Sequence, residues 1–119
     1  MSKVNDIIDI VGAGIKAESL RQKAIANNVA NLQTPGYRKV DVNFEDLLAK
    51  ALDSSGSVDL SNVEAEIYQP QNTVVKSNGN DVSLETEVGE MVKNNLRHKA
   101  YIRFLQKKYQ QIDLAMDVK

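Results

Sequence analysis

Apolar residues recur with a helical period at both ends of the chain and with no sustained period between them. Val4, Ile7, Ile8, Val11 and Ile15 occupy the i, i+3, i+4, i+7 and i+11 positions of one helical face. Ala17, Leu20 and Ala24, then Ile25, Val29 and Leu32, continue that face as a drifting stripe, so the pattern predicts one long amphipathic helix over residues 4–32. At the other end Leu84, Val88, Met91, Asn95, His98, Ile102, Leu105, Tyr109, Ile112 and Met116 alternate in steps of four and three. That is the a/d seam of a coiled coil, and it predicts a second long helix over residues 82–117. Ser83 is the expected N-cap. Glu85, Glu87 and Glu90 lie in the early turns, and Lys93, Arg97, Lys99, Arg103, Lys107 and Lys108 follow, an order that complements the helix dipole. Gly89 is a local weak point, costing about 1 kcal/mol relative to Ala.

Between the helices the period breaks down. Asn27 to Tyr37 is dense in helix stoppers. Pro35 has no backbone N–H and drives Thr34 out of helical geometry, and Pro35-Gly36 fits the central positions of a type II turn, with Gly at positive φ. A turn and a short helix are therefore expected over residues 33–52: Asn43 would cap it, and Phe44, Leu47, Leu48, Ala51 and Leu52 would line one face. Residues 53–80 read as a flexible, β-containing segment. Asp53 to Ser57 has linker composition, Val63 to Ile67 alternates as a half-exposed strand does, Thr73-Val74-Val75 suits a second short strand, and Asn78-Gly79 marks a turn.

The expected fold is mainly α and forms a single domain over residues 1–119. Its long N- and C-terminal helices pair as an antiparallel, coiled-coil-like hairpin, with a turn, a short helix and a small irregular β-containing middle segment. The two apolar stripes are too long and too drifting for one partner helix to cover, so further copies or related chains are expected to bury the remainder.

Composition narrows the function. The chain has 119 residues, 15 basic and 16 acidic, with a net charge of −1. One domain of that size cannot hold a doubly wound nucleotide-binding sheet, and the balanced charge argues against a dedicated nucleic-acid binder. Cys is absent, which excludes disulfides and thiolate chemistry. The N-terminus lacks the pattern of a cleaved signal peptide, and no apolar run approaches the roughly 18 residues of a membrane span.

Candidate chemistry is sparse. Ile7 to Ala17 contains Gly12-Ala13-Gly14, matching a strand followed by GxGxxA. No second strand and no acidic residue follow at the required distance, so a small-residue face approached by another helix is the better account of Gly12, Ala13, Gly14 and Ala17. His98 is the only histidine, with no Cys or second His to complete a zinc site. It reads as a polar seam residue like Asn95, a type that fixes register when buried. Tyr101, Phe104 and Tyr109 interleave with the basic stretch 93–108, which reads as a solvated flank rather than a nucleic-acid surface. Ser19, Ser83 and Thr86 have no nucleophile-elbow context. No catalytic constellation, cofactor site or small-molecule substrate is expected.

Asn28, Val29, Ala30, Asn31, Thr34, Pro35, Gly36 and Tyr37 resemble, position by position, the N-terminal signature of the bacterial flagellar basal-body rod and hook proteins. The run Asn80 to Glu87, leading into Asn95 to Tyr101, is similar to the C-terminal helix of a proximal rod protein; another proximal rod component is the near alternative. The resemblance implies a structural subunit of the periplasmic rod, passed unfolded through the flagellar type III apparatus without a cleaved signal and assembled through its terminal helices. Its implied partners are copies of itself, other rod proteins, the rod-to-membrane-ring adaptor and the export gate. Phe44 and Leu48 resemble a short export-gate recognition motif of rod and hook subunits, and they also suit the apolar face of the short helix. A compact cytoplasmic type III export chaperone is the alternative of a different class.

Overall fold

The computed structural model describes residues 3–53 and 63–117, with side chains from residue 6 onward. Helix α1 spans Lys3–Ala30, strand β1 Asp41–Asn43, helix α2 Glu45–Asp53, strand β2 Glu66–Tyr68 and helix α3 Leu84–Asp117. The long helices run antiparallel. Going up α1, Gly14 meets Tyr101, Glu18 meets Arg97 and Asn94, and Asn28 meets Glu87. The molecule is a blade of 67 × 30 × 14 Å, and its thin dimension is little more than one helix diameter of about 10–12 Å. A body that thin cannot enclose an apolar core on all sides.

Local chemistry sets the ends of the helices. The first helix stops at Ala30 rather than Leu32. There the amides turn to tighter bonds, Leu32 N–H donating to the Val29 carbonyl (3.2 Å), and Asn31 Nδ2 caps the Asn27 carbonyl (2.8 Å). The last helix starts as expected from Ser83, whose carbonyl accepts from Glu87 N–H and whose hydroxyl accepts from Thr86 N–H.

The β pairing differs from the expectation. β1 pairs antiparallel with β2, Val42 opposite Ile67, so the strand formed in the alternating region is Glu66–Tyr68. Asn43 closes β1 instead of capping α2; Phe44 takes the cap position, its carbonyl accepting from Leu48 N–H at 2.8 Å. Thr73-Val74-Val75 forms no strand, because this stretch is committed to the next loop. Thr73 Oγ1 donates to Asp81, Lys76 N–H donates to the Asn80 carbonyl, and Val74 is 90% exposed. The linker expected over 53–57 lies, from residue 54 on, outside the described residues.

The core is a narrow band along α1. Val11, Ala17, Ala24 and Ile25 are buried there, with Val42 and Phe44 from the β1–α2 corner and Val82 before α3. Gly14 receives the Tyr101 side chain from α3: a Cβ on it would stand 2.5–2.9 Å from the ring. This is the small-residue approach expected of Gly14, whereas Gly12 meets no such neighbour.

On α3 the side turned to α1 is not the apolar seam. It carries Glu87 and Asn94, both buried, and Tyr101, half-buried. Val88 and Asn95 each follow a buried residue by one position, about 100° round the helix. Asn95 is exposed, so the buried register residue is Asn94. His98, Ile102, Leu105 and Ile112 are half-buried, where the seam drifts toward α1.

A polar clasp and a buried charge cluster

The segment from Asn27 to Tyr37 closes on the segment from Thr73 to Glu87 through side-chain hydrogen bonds. The turn comes first. Tyr37 N–H donates to the Thr34 carbonyl (3.3 Å) and Gly36 sits at φ +76°, the type II geometry that Pro-Gly favours. Gly36 N–H in turn donates to the Asn78 carbonyl (2.9 Å). Gly79 follows at φ +85°, and a Cβ on it would come within 3.3 Å of Gly36 Cα, so the two turns touch backbone to backbone.

Asn80 locks this contact. It is fully buried; its Nδ2 donates to the Asn31 (2.9 Å) and Thr34 (2.8 Å) carbonyls, and its Oδ1 accepts from Val82 N–H (2.7 Å). Asn28 does the same for the other strand of the clasp. Its Nδ2 donates to the Val40 carbonyl and to Glu87 Oε1, and its Oδ1 accepts from Val40 N–H and the Tyr37 hydroxyl, all at 2.9 Å. Glu87 Oε2 accepts no hydrogen bond but faces the Lys39 ammonium at 3.5 Å. Asn31 Oδ1 accepts from the Thr34 hydroxyl (3.1 Å). Val29 is half-buried, and Ala30, Thr34, Pro35 and Gly36 lie at the surface.

Asp81 fastens the next layer, accepting from Lys39 N–H, Thr73 Oγ1 (2.7 Å) and Arg38 Nε (3.3 Å). Burial pushes its carboxyl up, but the hydroxyl, the amide and the guanidinium together hold it below the ordinary carboxylate range. Tyr37 moves the other way: burial raises its phenol, and the charges of Glu87 and Asp81 add to that against the Asn27 amide.

The second polar group lies one third of the way down the hairpin. Glu18, 1% exposed, accepts from Asn94 Nδ2 (3.0 Å), Arg97 Nε (3.0 Å) and Arg21. Asn94 Nδ2 also donates to the Glu18 carbonyl (2.7 Å). Arg21 continues to Glu45 at the start of α2 and to the Val42 carbonyl. Two carboxylates and two guanidiniums from three helices thus neutralise one another. Partial burial pushes the Glu45 carboxyl up, but the Arg21 hydrogen bond, the backbone and the Arg21 and Arg97 charges outweigh it and leave it depressed.

A carboxyl whose pKa is depressed by folding stabilises above its unfolded value and loses that contribution as pH falls through the folded one. Glu45 and Asp81 both behave so. The melting temperature is therefore expected to hold level above about pH 5 and to drop below about pH 4, the ordinary carboxylate range. Asp81→Asn should flatten part of that drop in a thermal melt series. A protein that gains stability on acidification would contradict the assignment.

The sequence signature thus lies in the clasp, but its partners on the far side, Asn80, Asp81 and Glu87, carry as much of the bonding. Phe44 is fully buried and Leu48 half-buried. Of the seam residues, Leu84, Val88, Met91, Tyr109 and Met116 remain 41–66% exposed. Glu18 and Arg21, central to the cluster, break no apolar periodicity and so gave no signal beyond an i, i+3 charge pair.

Comparison with known proteins agrees with this architecture. Residues 8–38, which run through α1 into the turn, match the family model described as "Flagella basal body rod protein". Over that segment the chain is similar to rod proteins of the flagellar basal body. Its similarity to FlgB proteins extends far beyond the matched segment. It is 26% identical to FlgB of Bacillus subtilis (strain 168) over 98% of this chain and 97% of that one. It is 23% identical to FlgB of Buchnera aphidicola subsp. Baizongia pistaciae (strain Bp) over 94% and 95%. For FlgB of Borreliella burgdorferi the identity is 28% over 67% and 73%. Among the described residues no helix is long and apolar enough to cross a membrane.

Proposed function

We propose that the chain is a structural subunit of the flagellar rod and joins its neighbours through the side of α3 that its own fold leaves uncovered. The observation that carries the reading is the split between two faces of one helix. Glu87, Asn94 and Arg97 hold α3 to α1 through polar bonds, while Leu84, Val88, Met91, Tyr109 and Met116 stay in water. Burying such side chains fully is worth about 1.5–3 kcal/mol each, so association supplies what the thin monomer lacks. Together with Asn95 these exposed seam residues form the assembly surface, bordered by the half-buried His98, Ile102, Leu105 and Ile112, and the clasp of Asn28, Val29, Ala30, Asn31, Thr34, Pro35, Gly36 and Tyr37 sets the angle at which the hairpin presents it.

The partners are copies of the chain, other rod proteins and the adaptor to the membrane ring, and the place of work is the periplasmic rod. The work is mechanical and not enzymatic. The chain reaches that place unfolded, through the export gate. Phe44 and Leu48 would be read there before folding, since Phe44 is out of reach afterward.

Gly36→Val tests the role of the clasp. A β-branched residue at φ +76° is strongly disfavoured, and left-handed geometry costs an ordinary residue roughly 1–2 kcal/mol. Basal bodies purified from cells carrying the variant should lack the chain, whereas basal bodies with the wild type contain it. Normal incorporation of the variant would overturn the clasp's role, and absence of the wild type would overturn the rod reading.

A further inference from the structure

We propose that the ridge of α3 facing away from α1, formed by Val92, Leu96, Lys99 and Arg103, docks onto the outward row Glu64, Glu66 and Tyr68 of a second copy, head to tail.

The four ridge residues fall at i, i+4, i+7 and i+11, one helical face. They lie opposite Asn94 and Tyr101, the residues turned to α1. Val92 and Leu96 are 55% and 64% exposed, and Lys99 and Arg103 are exposed too, around a shallow depression lined by Leu96, Lys99, Ala100, Ile102 and Arg103. Three nearby cations are engaged elsewhere: Lys93 pairs with Glu90, Arg97 with Glu18, and Lys108 covers the Phe104 ring. Among the described residues Lys99 and Arg103 have no anionic partner.

The complementary charge is on the sheet. Glu64, Glu66 and Tyr68 alternate on one side of the extended stretch that ends in β2, and all are exposed. Among the described residues Glu64 and Glu66 have no cationic partner. Burial first, then Asp41 and Asp46, raises the Tyr68 phenol, against the opposing charges of Lys39 and Arg21.

The spacings match. Leu96, Lys99 and Arg103 rise in steps of about 4.5 and 6 Å along a helix, and Tyr68, Glu66 and Glu64 in steps of about 6.6 Å along a strand. Running antiparallel, the ridge sets Leu96 on the Tyr68 ring, Lys99 on Glu66 and Arg103 on Glu64. One chain cannot close this contact on itself. β1 packs on α1, and the ridge points away from α1. The two surfaces differ, so the contact is heterologous and each copy keeps one of each kind free for the next. The inference rests on the rod reading and adds a polarity and a pair of surfaces to it.

The test uses the whole chain, which has no Cys of its own. In sedimentation of the purified protein, association should weaken as salt rises. K99E/R103E and E64K/E66K should each associate at least about tenfold more weakly than wild type, with unchanged helical circular dichroism. An equal mixture of the two should recover wild-type association, because each reversed surface then meets its opposite. Wild type that stays monomeric at every salt concentration, or a mixture no better than its components, would overturn the docking. Separately, chains carrying Arg103→Cys and Glu64→Cys, expressed together, should form a disulfide-linked pair in isolated basal bodies. Both chains present there without that link would overturn the docking and leave the rod reading intact; neither chain present would count against the rod reading itself.

Discussion

Glu18→Ala is expected to separate the two long helices. The carboxylate is 1% exposed and is shared by Arg21, Arg97 and Asn94. Removing one partner of a buried charge group leaves the others desolvated without compensation, at a cost of about 3–5 kcal/mol. That is a large fraction of the whole stability of a small domain, about 5–15 kcal/mol. Denaturant titration of the full chain, followed by helical circular dichroism, should show the midpoint falling by that amount or the helix pair lost in buffer. Glu18→Gln keeps a polar acceptor for Asn94 and should cost less. Pairing Glu18→Ala with Arg97→Met should recover part of the loss, because one orphaned guanidinium is then gone. A loss under about 0.5 kcal/mol for Glu18→Ala, the range of ordinary surface changes, would show that the cluster is not holding the hairpin.

Asn80→Ala should act at the other end of the molecule. It removes one hydrogen bond each from the carbonyls of Asn31 and Thr34, which keep only the Thr34 and Tyr37 amides, and it takes the partner from Val82 N–H. An unsatisfied buried group costs about 1–3 kcal/mol; water entering the gap relieves part of it, so a total of about 3 kcal/mol is expected. The loss should be local. Amide exchange should accelerate at Val82, Gly36 and Gly79, while amides of α1 and α3 near Glu18 and Asn94 keep their protection. Uniform acceleration along both helices would mean that the clasp and the charge cluster unfold as one unit.

Sequence pattern and structure agree where apolar periodicity decides the outcome and part where it does not. The long helices were legible because each carries a sustained stripe. The packing face of α3 was not, because the contact is made by Glu87, Asn94 and Tyr101, two of which a hydrophobic reading assigns to solvent. Much of the apolar seam lies beside that contact and stays exposed, at Leu84, Val88, Met91, Tyr109 and Met116, so a pattern strong enough to predict the helix did not mark its intramolecular face. β1 was missed for another reason. Asp41-Val42-Asn43 has poor strand propensity, and it becomes a strand only because β2 supplies hydrogen bonds and α1 receives Val42. Asn80 reads as an ordinary loop residue until the chain reversal at Gly36 brings the Asn31 and Thr34 carbonyls to it. In the clasp, Pro35-Gly36 announced its own turn, whereas the far half depends on contacts between residues more than forty positions apart.

The placement of the ties along the hairpin gives the subunit a mechanical gradient. At the clasp the two helices are bolted by Asn28, Asn80 and the touching glycines. The charge cluster is a second rivet, and beyond Gly14 and Tyr101 no cross-helix hydrogen bond or ion pair joins the prongs among the described residues. The result is a tuning fork with a rigid handle and springy tines. Twisting strain entering such a part concentrates in the tines and leaves the handle square, so the subunit yields elastically at one end while keeping a fixed bearing at the other.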